Sequence, residues 1–250
     1  MSQKPELPSG YLGAQPSFDK LGLSCLSHID ASFSSDTNQV EIKFKCKNPV
    51  KVTNQLICCR TEKEFNEYVF SQSLHGTVSF IVHMPESGFY KLQIFAVDAK
   101  DDTKSLPNVY NYLIECKKAL NPVFPFPKQY AQWKDGCYLH EPLVLHSDGK
   151  LTNIQWKVIV PNAKAVAVVA DGDWQHFEKK GNHWEANFSL DHLRGKKAKI
   201  TLNACLGDDD TKFSTLLEYN ISRKKGTIGR PTSVLITYVE RKLRSHLMHA

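Results

Sequence analysis

One module is written twice in this chain. Cys25-Leu-Ser-His28 recurs as Cys137-Tyr-Leu-His140, and Asp101-Asp102-Thr103-Lys104 recurs as Asp209-Asp210-Thr211-Lys212. Phe18 stands seven residues before Cys25, and Tyr130 stands seven before Cys137. Near the end of each copy, Tyr112-Leu-Ile114 is answered by Tyr219-Asn-Ile221. Four anchors in one order at nearly constant spacing mean a tandem duplication, which restricts the architecture before any strand or helix is assigned. A feature present in both copies is then expected to belong to the scaffold rather than to a site.

The chain has 250 residues, room for two domains of ordinary size, each able to bury its own core. The duplication and the breakers divide it into a flexible lead over 1–16, a first unit over 17–118, a second over 119–221 and a basic tail over 222–250. The lead carries Pro5, Pro8, Gly10, Gly13 and Pro16 and lacks the apolar stretch of a secretory signal. Seven cysteines, an odd number, then read as reduced thiols, mostly buried, in the cytoplasm. No apolar run approaches the ~18 residues of a membrane span.

Alternation with a period of two dominates both copies. Val40, Ile42, Phe44 and Cys46 face one way while Glu41, Lys43 and Lys45 face the other, the pattern of a half-buried strand. Val78 to Met84, Tyr90 to Ala96 and Tyr110 to Ile114 alternate likewise. In the second copy so do Ile154 to Val160, Trp184 to Leu190, Ala198 to Ala204 and Leu217 to Ile221. Ala165-Val-Ala-Val-Val-Ala170 is apolar throughout, as for a central strand, and Asp171-Gly-Asp173 signals a hairpin turn. The fold class expected is all-β: two tandem immunoglobulin-like β-sandwiches with a short C-terminal helix. Asn121-Pro-Val-Phe-Pro-Phe-Pro127 reads as an extended, stiff connector. With that connector, each copy is expected to fold by itself.

Candidate sites are few. The two Cys-x-x-His pairs suggest zinc ligands, but equivalent places in duplicated units lie a domain apart, so no metal is expected. No cysteine sits in a helix-opening or Gly-rich context that would activate its thiol. Phosphate-loop, nucleophile-elbow and His-Glu-x-x-His patterns do not occur, so no catalytic residue and no cofactor is assigned. The acidic turns at Asp101 and Asp208 to Asp210 read as solvated loops. Trp174 and Trp184 are read as flanking one hairpin, Trp184 in the core and Trp174 as the candidate exposed aromatic, which would suit a sugar ring.

The net charge of +6 resides in the tail, where seven basic side chains meet the single acid Glu240. The neutral body argues against nucleic acid as a partner. Leu235, Val239, Leu243 and Leu247 fall four apart and form one stripe of a helix starting near Pro231 and Thr232. Arg223, Lys224, Lys225, Arg241, Lys242 and Arg244 are therefore the candidate contacts to an anionic membrane surface or an acidic partner.

Further motifs carry a resemblance. Phe126-Pro-Lys-Gln-Tyr-Ala-Gln-Trp133 through Cys137-Tyr-Leu-His-Glu-Pro142, Tyr11-Leu-Gly13 with Phe18 and Leu21-Gly22-Leu23, and Trp156-Lys-Val-Ile-Val-Pro-Asn-Ala163 resemble the C-terminal region of the kyphoscoliosis peptidase and hillarin family. The resemblance spans about residues 11–221. In that family such modules follow a transglutaminase-like peptidase domain with a Cys-His-Asp triad. This chain is expected to begin beyond that domain, so no triad position carries over. The resemblance implies a non-enzymatic cytoplasmic interaction or scaffold module with protein partners, cytoskeletal ones foremost. The alternatives are a glycan-binding sandwich and the non-catalytic part of a transglutaminase-like peptidase.

Overall fold

The computed structural model describes residues 3–221; the expected helix beyond Pro231 lies outside them. In the first copy the strands are β1 (Gly13–Ala14), β2 (Leu23–Cys25), β3 (Ser32–Ser35), β4 (Gln39–Cys46), β5 (Val50–Cys58), β6 (Val69–Leu74), β7 (Thr77–His83), β8 (Gly88–Asp98) and β9 (Asn108–Cys116). The second copy contains β10 (Lys128–Gln129), β11 (Tyr138–Glu141), β12 (Ile154–Ile159), β13 (Ala165–Ala170), β14 (Asp173–His176), β15 (Glu178–Lys180), β16 (His183–Phe188), β17 (Ala198–Cys205) and β18 (Ser214–Ile221). The longest helix among the described residues is the short α1 (Pro16–Lys20), opened by a proline whose missing N–H is not needed there.

Each copy is a sandwich of two sheets. The first pairs the sheet β1-β9-β8-β5, with β3 also on β9, against β2-β4-β7-β6. The second pairs β10-β18-β17-β13-β14 against β11-β12-β16-β15. The sheets are antiparallel except for β3, which runs parallel to β9 from Ser32↔Leu113 to Ser35↔Cys116. The alternating positions face inward as their pattern requires: Ile42, Phe44, Val78, Phe80, Val82, Tyr90, Leu92 and Ile94 are all buried. Fully burying each such side chain contributes roughly 1.5–3 kcal/mol. In the second core, Trp156 stacks on Phe188 at 5.5 Å and meets the edge of Tyr219 at 5.4 Å.

The repeated anchors hold the scaffold. Tyr112 on the last strand of copy one donates its hydroxyl to the carbonyl of His28 at 3.1 Å. Its counterpart Tyr219 donates to the carbonyl of Pro142 at 2.8 Å. Both tie the chain just after the second strand of a copy, β2 or β11, to its last strand, β9 or β18. The repeated acidic turns cap themselves: Asp101 accepts from the Thr103 N–H and Asp209 from the Thr211 N–H.

Two regions differ from their sequence expectation. From Tyr11 onward the lead is held, because Asn111 donates to the Tyr11 carbonyl and β1 pairs with β9 at Gly13↔Asn111. The proline-rich connector is a docked seam rather than a free spacer. Val123 is buried in the first core and Phe126 in the second. Asn38 donates to the Asn121 carbonyl, and the Phe126 N–H donates to the Glu67 carbonyl at 2.8 Å. Prolines fix the backbone while the apolar residues between them find cores on either side.

The seam continues into the sandwiches. Phe70 of β6 packs with the second core, 5.7 Å from the Phe126 ring and 6.0 Å from Trp133. Next to it, buried Gln72 acts like one residue of a neighbouring strand. Its amide donates to the Leu139 carbonyl at 3.0 Å and accepts from the Leu139 N–H at 2.8 Å. Gln129 reciprocates by donating to the Ser71 carbonyl at 2.7 Å.

Candidate functional site

Because repeated features are accounted for as scaffold, the site is sought where the copies differ. Copy one has β3, which runs along β9. Copy two instead has β14, a full strand that extends its sheet beyond β13, where copy one has only the single bridge Ile57↔Glu64 beyond β5. The turn before β14 is short because Asp171 and Gly172 both take positive φ, 51° and 84°, the conformation that matches the twist of a two-residue hairpin. Ala170 then faces Asp173 across the hairpin, and Val168 faces Gln175.

That register decides which backbone groups are free. In an antiparallel ladder, bonded pairs alternate with non-bonded ones. Asp173 and Gln175 bond inward to β13, and the pattern closes with the Phe177 N–H on the Val166 carbonyl at 2.9 Å. The N–H and C=O of Trp174 and His176 therefore point away from the sheet. β14 is an edge strand exposed along its whole length.

The side chains of Trp174 and His176 share the outer face of the sheet, opposite Val169 and Ala167. Their rings stack 6.0 Å apart, and Phe213 meets Trp174 edge-on at 5.1 Å. Trp174 is 48% exposed. An aromatic cluster thus lies beside a row of unpaired backbone groups. Sequence reasoning singled out Trp174 but missed His176 and Phe213. The i, i+2 spacing of Trp174 and His176 was a legible signal; the return of Phe213 over the sheet was not.

The single hairpin expected to carry Trp174 and Trp184 does not exist. β14 lies in one sheet with β13, whereas Trp184 sits on β16 in the other sheet. Buried Phe177 turns the chain from one sheet to the other between them. Trp184 is in the core, as expected. Arg223, Lys224, Lys225, Arg241, Lys242 and Arg244 lie outside the described residues.

Four of the seven thiols are held in the neutral form by burial. Burial pushes Cys137 up to about 12 and Cys116 up to about 11, and it raises Cys46 and Cys59 as well. A raised thiol leaves little nucleophilic thiolate at neutral pH. The two Cys-x-x-His pairs fall on different sandwiches, at β2 and β11. Among the described residues no group of three or more His, Cys, Asp or Glu side chains could hold a metal ion.

Residues 5–127 match the family model of the KY-like immunoglobulin-like domain. The chain is similar to several solved tandem structures. One is the fibronectin(III)-like modules of Clostridium thermocellum CbhA, at 16% identity over 84% of this chain and 98% of that one, with a TM-score of 0.24. Another is the titin Ig tandem A164-A165, at 8% identity over 76% and 91%, with a TM-score of 0.23. A third is the tandem Ig repeats of Dlar, at 6% identity over 80% and 96%, with a TM-score of 0.24. No curated protein matches the chain.

Proposed function

We propose that this chain, which carries the immunoglobulin-like region of the kyphoscoliosis peptidase family over residues 5–127, is a non-catalytic protein-interaction module that takes up an extended segment of its partner at β14. The observation that carries this is the free edge of β14, with outward backbone groups at Trp174 and His176 beside the Trp174, His176 and Phe213 cluster. Strand addition to such an edge uses main-chain hydrogen bonds for affinity and alternate side chains for selection. Partner residues facing the cluster would be apolar or aromatic, since the rings offer faces and edges rather than charge.

The cytoskeletal assignment of that partner rests on the family resemblance, and the cytoplasmic assignment on seven free thiols. On this reading the module serves as a scaffold element.

Selection of displayed unstructured peptides against the full chain tests the docking reading. The selected peptides are expected to bind the wild type and to lose binding in His176→Pro. Proline at 176 removes an outward N–H and leaves the bonds of Gln175 and Phe177 to β13 in place. Equal binding by wild type and variant would remove β14 as the docking edge. A second reading, a sugar platform, is favoured by the exposure of Trp174. Trp174→Ala distinguishes the two: binding of neutral oligosaccharides by the wild type alone would favour sugar. The truncation is expected to change stability by only about 0.5 kcal/mol, the range of exposed positions.

The tail is proposed as the chain's contact with anionic membrane. In co-sedimentation with vesicles rich in phosphatidylserine, full-length protein is expected to bind at low salt. The full-length variant with Arg223, Lys224, Lys225, Arg241, Lys242 and Arg244 changed to glutamine is expected to stay in the supernatant. Equal sedimentation of the two would sink this role.

A further inference from the structure

On the solvent side of the β11-β12-β16-β15 sheet of copy two, two imidazoles meet. The Nε2 atoms of His140 and His183 lie 3.1 Å apart. The two histidines come from strands separated by β12, since β11 and β16 both pair with it. The chain brings them together by a specific device. β11 pairs Leu139 with Val158 and Glu141 with Lys157, so His140 is the extra residue of a bulge. A bulge of this kind re-aims its side chain and recurs next to functional sites. Tyr138 packs edge-on against the re-aimed ring at 4.9 Å. His183 follows the tight turn at Gly181 and Asn182 that joins β15 to β16.

The repeat sharpens the contrast. His28 is the counterpart of His140, and its ring lies on Phe33 at 4.4 Å with no second histidine. His183 has no counterpart among the repeated anchors. The pairing is therefore peculiar to copy two rather than part of the shared scaffold.

We infer that His140 and His183 form a two-histidine site for a borderline divalent metal ion of the zinc, nickel or copper type. A metal ion bound to both Nε2 atoms at the usual ~2.0–2.1 Å would subtend an angle of about 100° at the metal, given their 3.1 Å separation. That angle falls between the square-planar and the tetrahedral values, so neither ring has to move far to accept the ion. His140 is exposed and His183 half-buried, so the ion has an open approach and its remaining positions face water. Such an open site suits a ligand donated by a partner protein or by a second molecule more than a closed structural centre. Imidazole is the protein ligand shared by all three ions, and selectivity among them would come from the ligands that complete the shell.

Zinc chloride titrated into the full chain, read by the ring-nitrogen signals of the histidines, tests this residue by residue. Thiol binding elsewhere does not mimic the signal. The His140 and His183 rings are expected to shift together and before the other histidines, at less than one equivalent. His183→Asn and His140→Asn, each checked for an unchanged amide spectrum, are expected to weaken this first step about tenfold or more, by analogy with the loss of a metal's supporting residues. If the two rings stay in place while zinc fills other positions, the pair is a hydrogen-bonded contact only and the inference is overturned. The same holds if either asparagine variant binds the first equivalent within about twofold of the wild type.

Discussion

Truncating Phe70 to alanine is expected to destabilise the protein by about 3–5 kcal/mol, the range for deleting a buried phenylalanine. The side chain is 1% exposed and belongs to β6 of the first sandwich, yet its neighbours are Phe126 and Trp133 in the core of the second. The loss should therefore register in the unfolding of both copies. Calorimetry of the wild type is expected to give one coupled transition, and that of Phe70→Ala a lower transition resolved into two. A change under about 1 kcal/mol, with the transition still single, would mean that the seam contributes nothing to coupling.

Gln72→Leu is expected to cost about 2–5 kcal/mol although the substitution keeps the volume and adds apolar surface. The amide of Gln72 satisfies both backbone groups of Leu139 inside the seam. Leucine leaves a buried N–H and a buried C=O without partners, at roughly 1–3 kcal/mol each. Gln72→Glu separates the causes: its carboxylate still accepts from the Leu139 N–H but cannot donate to the carbonyl, and it buries a charge. Leucine and glutamate variants both as stable as wild type, by urea denaturation, would show that Leu139 finds other partners. The same two residues bear on the expectation that each copy folds by itself. A first copy cut free would expose Phe70 and leave Gln72 in water, so isolated copies should be less stable than the joined pair.

Most strands that were legible in the sequence alternate with one apolar face, and β13 was legible as a continuous apolar run. β4 is the plainest case, its lysines and glutamate marking the solvent side. β7, β8, β12, β16, β17 and β18 follow from the same alternation. β5 escaped because Asn54 interrupts its inward series of Val50, Val52, Leu56 and Cys58. β6 escaped for another reason. Its Ser71 and Gln72 are polar, which reads as surface, but both are buried, and the Gln72 side chain faces the other sandwich. A seam satisfied by side-chain amides leaves no apolar signature. The connector misled in the opposite direction, since prolines announce stiffness and say nothing about docking.

The candidate site was legible only in part. Asp171-Gly172 announced the hairpin turn, and Trp174 stood out as an aromatic without a core series around it. The sheet to which β14 belongs was not legible, because Phe177 redirects the chain by burial alone. Nor could periodicity reveal the bulge that aims His140, because it depends on the register of β11 against β12.

Amide hydrogen exchange at β14, with and without a peptide selected for binding, tests the docking edge most directly. The Gln175 N–H already bonds to β13 and should exchange slowly in both states. The N–H groups of Trp174 and His176 point outward and should exchange quickly in the free protein, then slow by about tenfold or more when the peptide adds its strand. If the bound peptide protects another edge, such as β15, and leaves Trp174 and His176 fast, β14 is not where this module takes its partner.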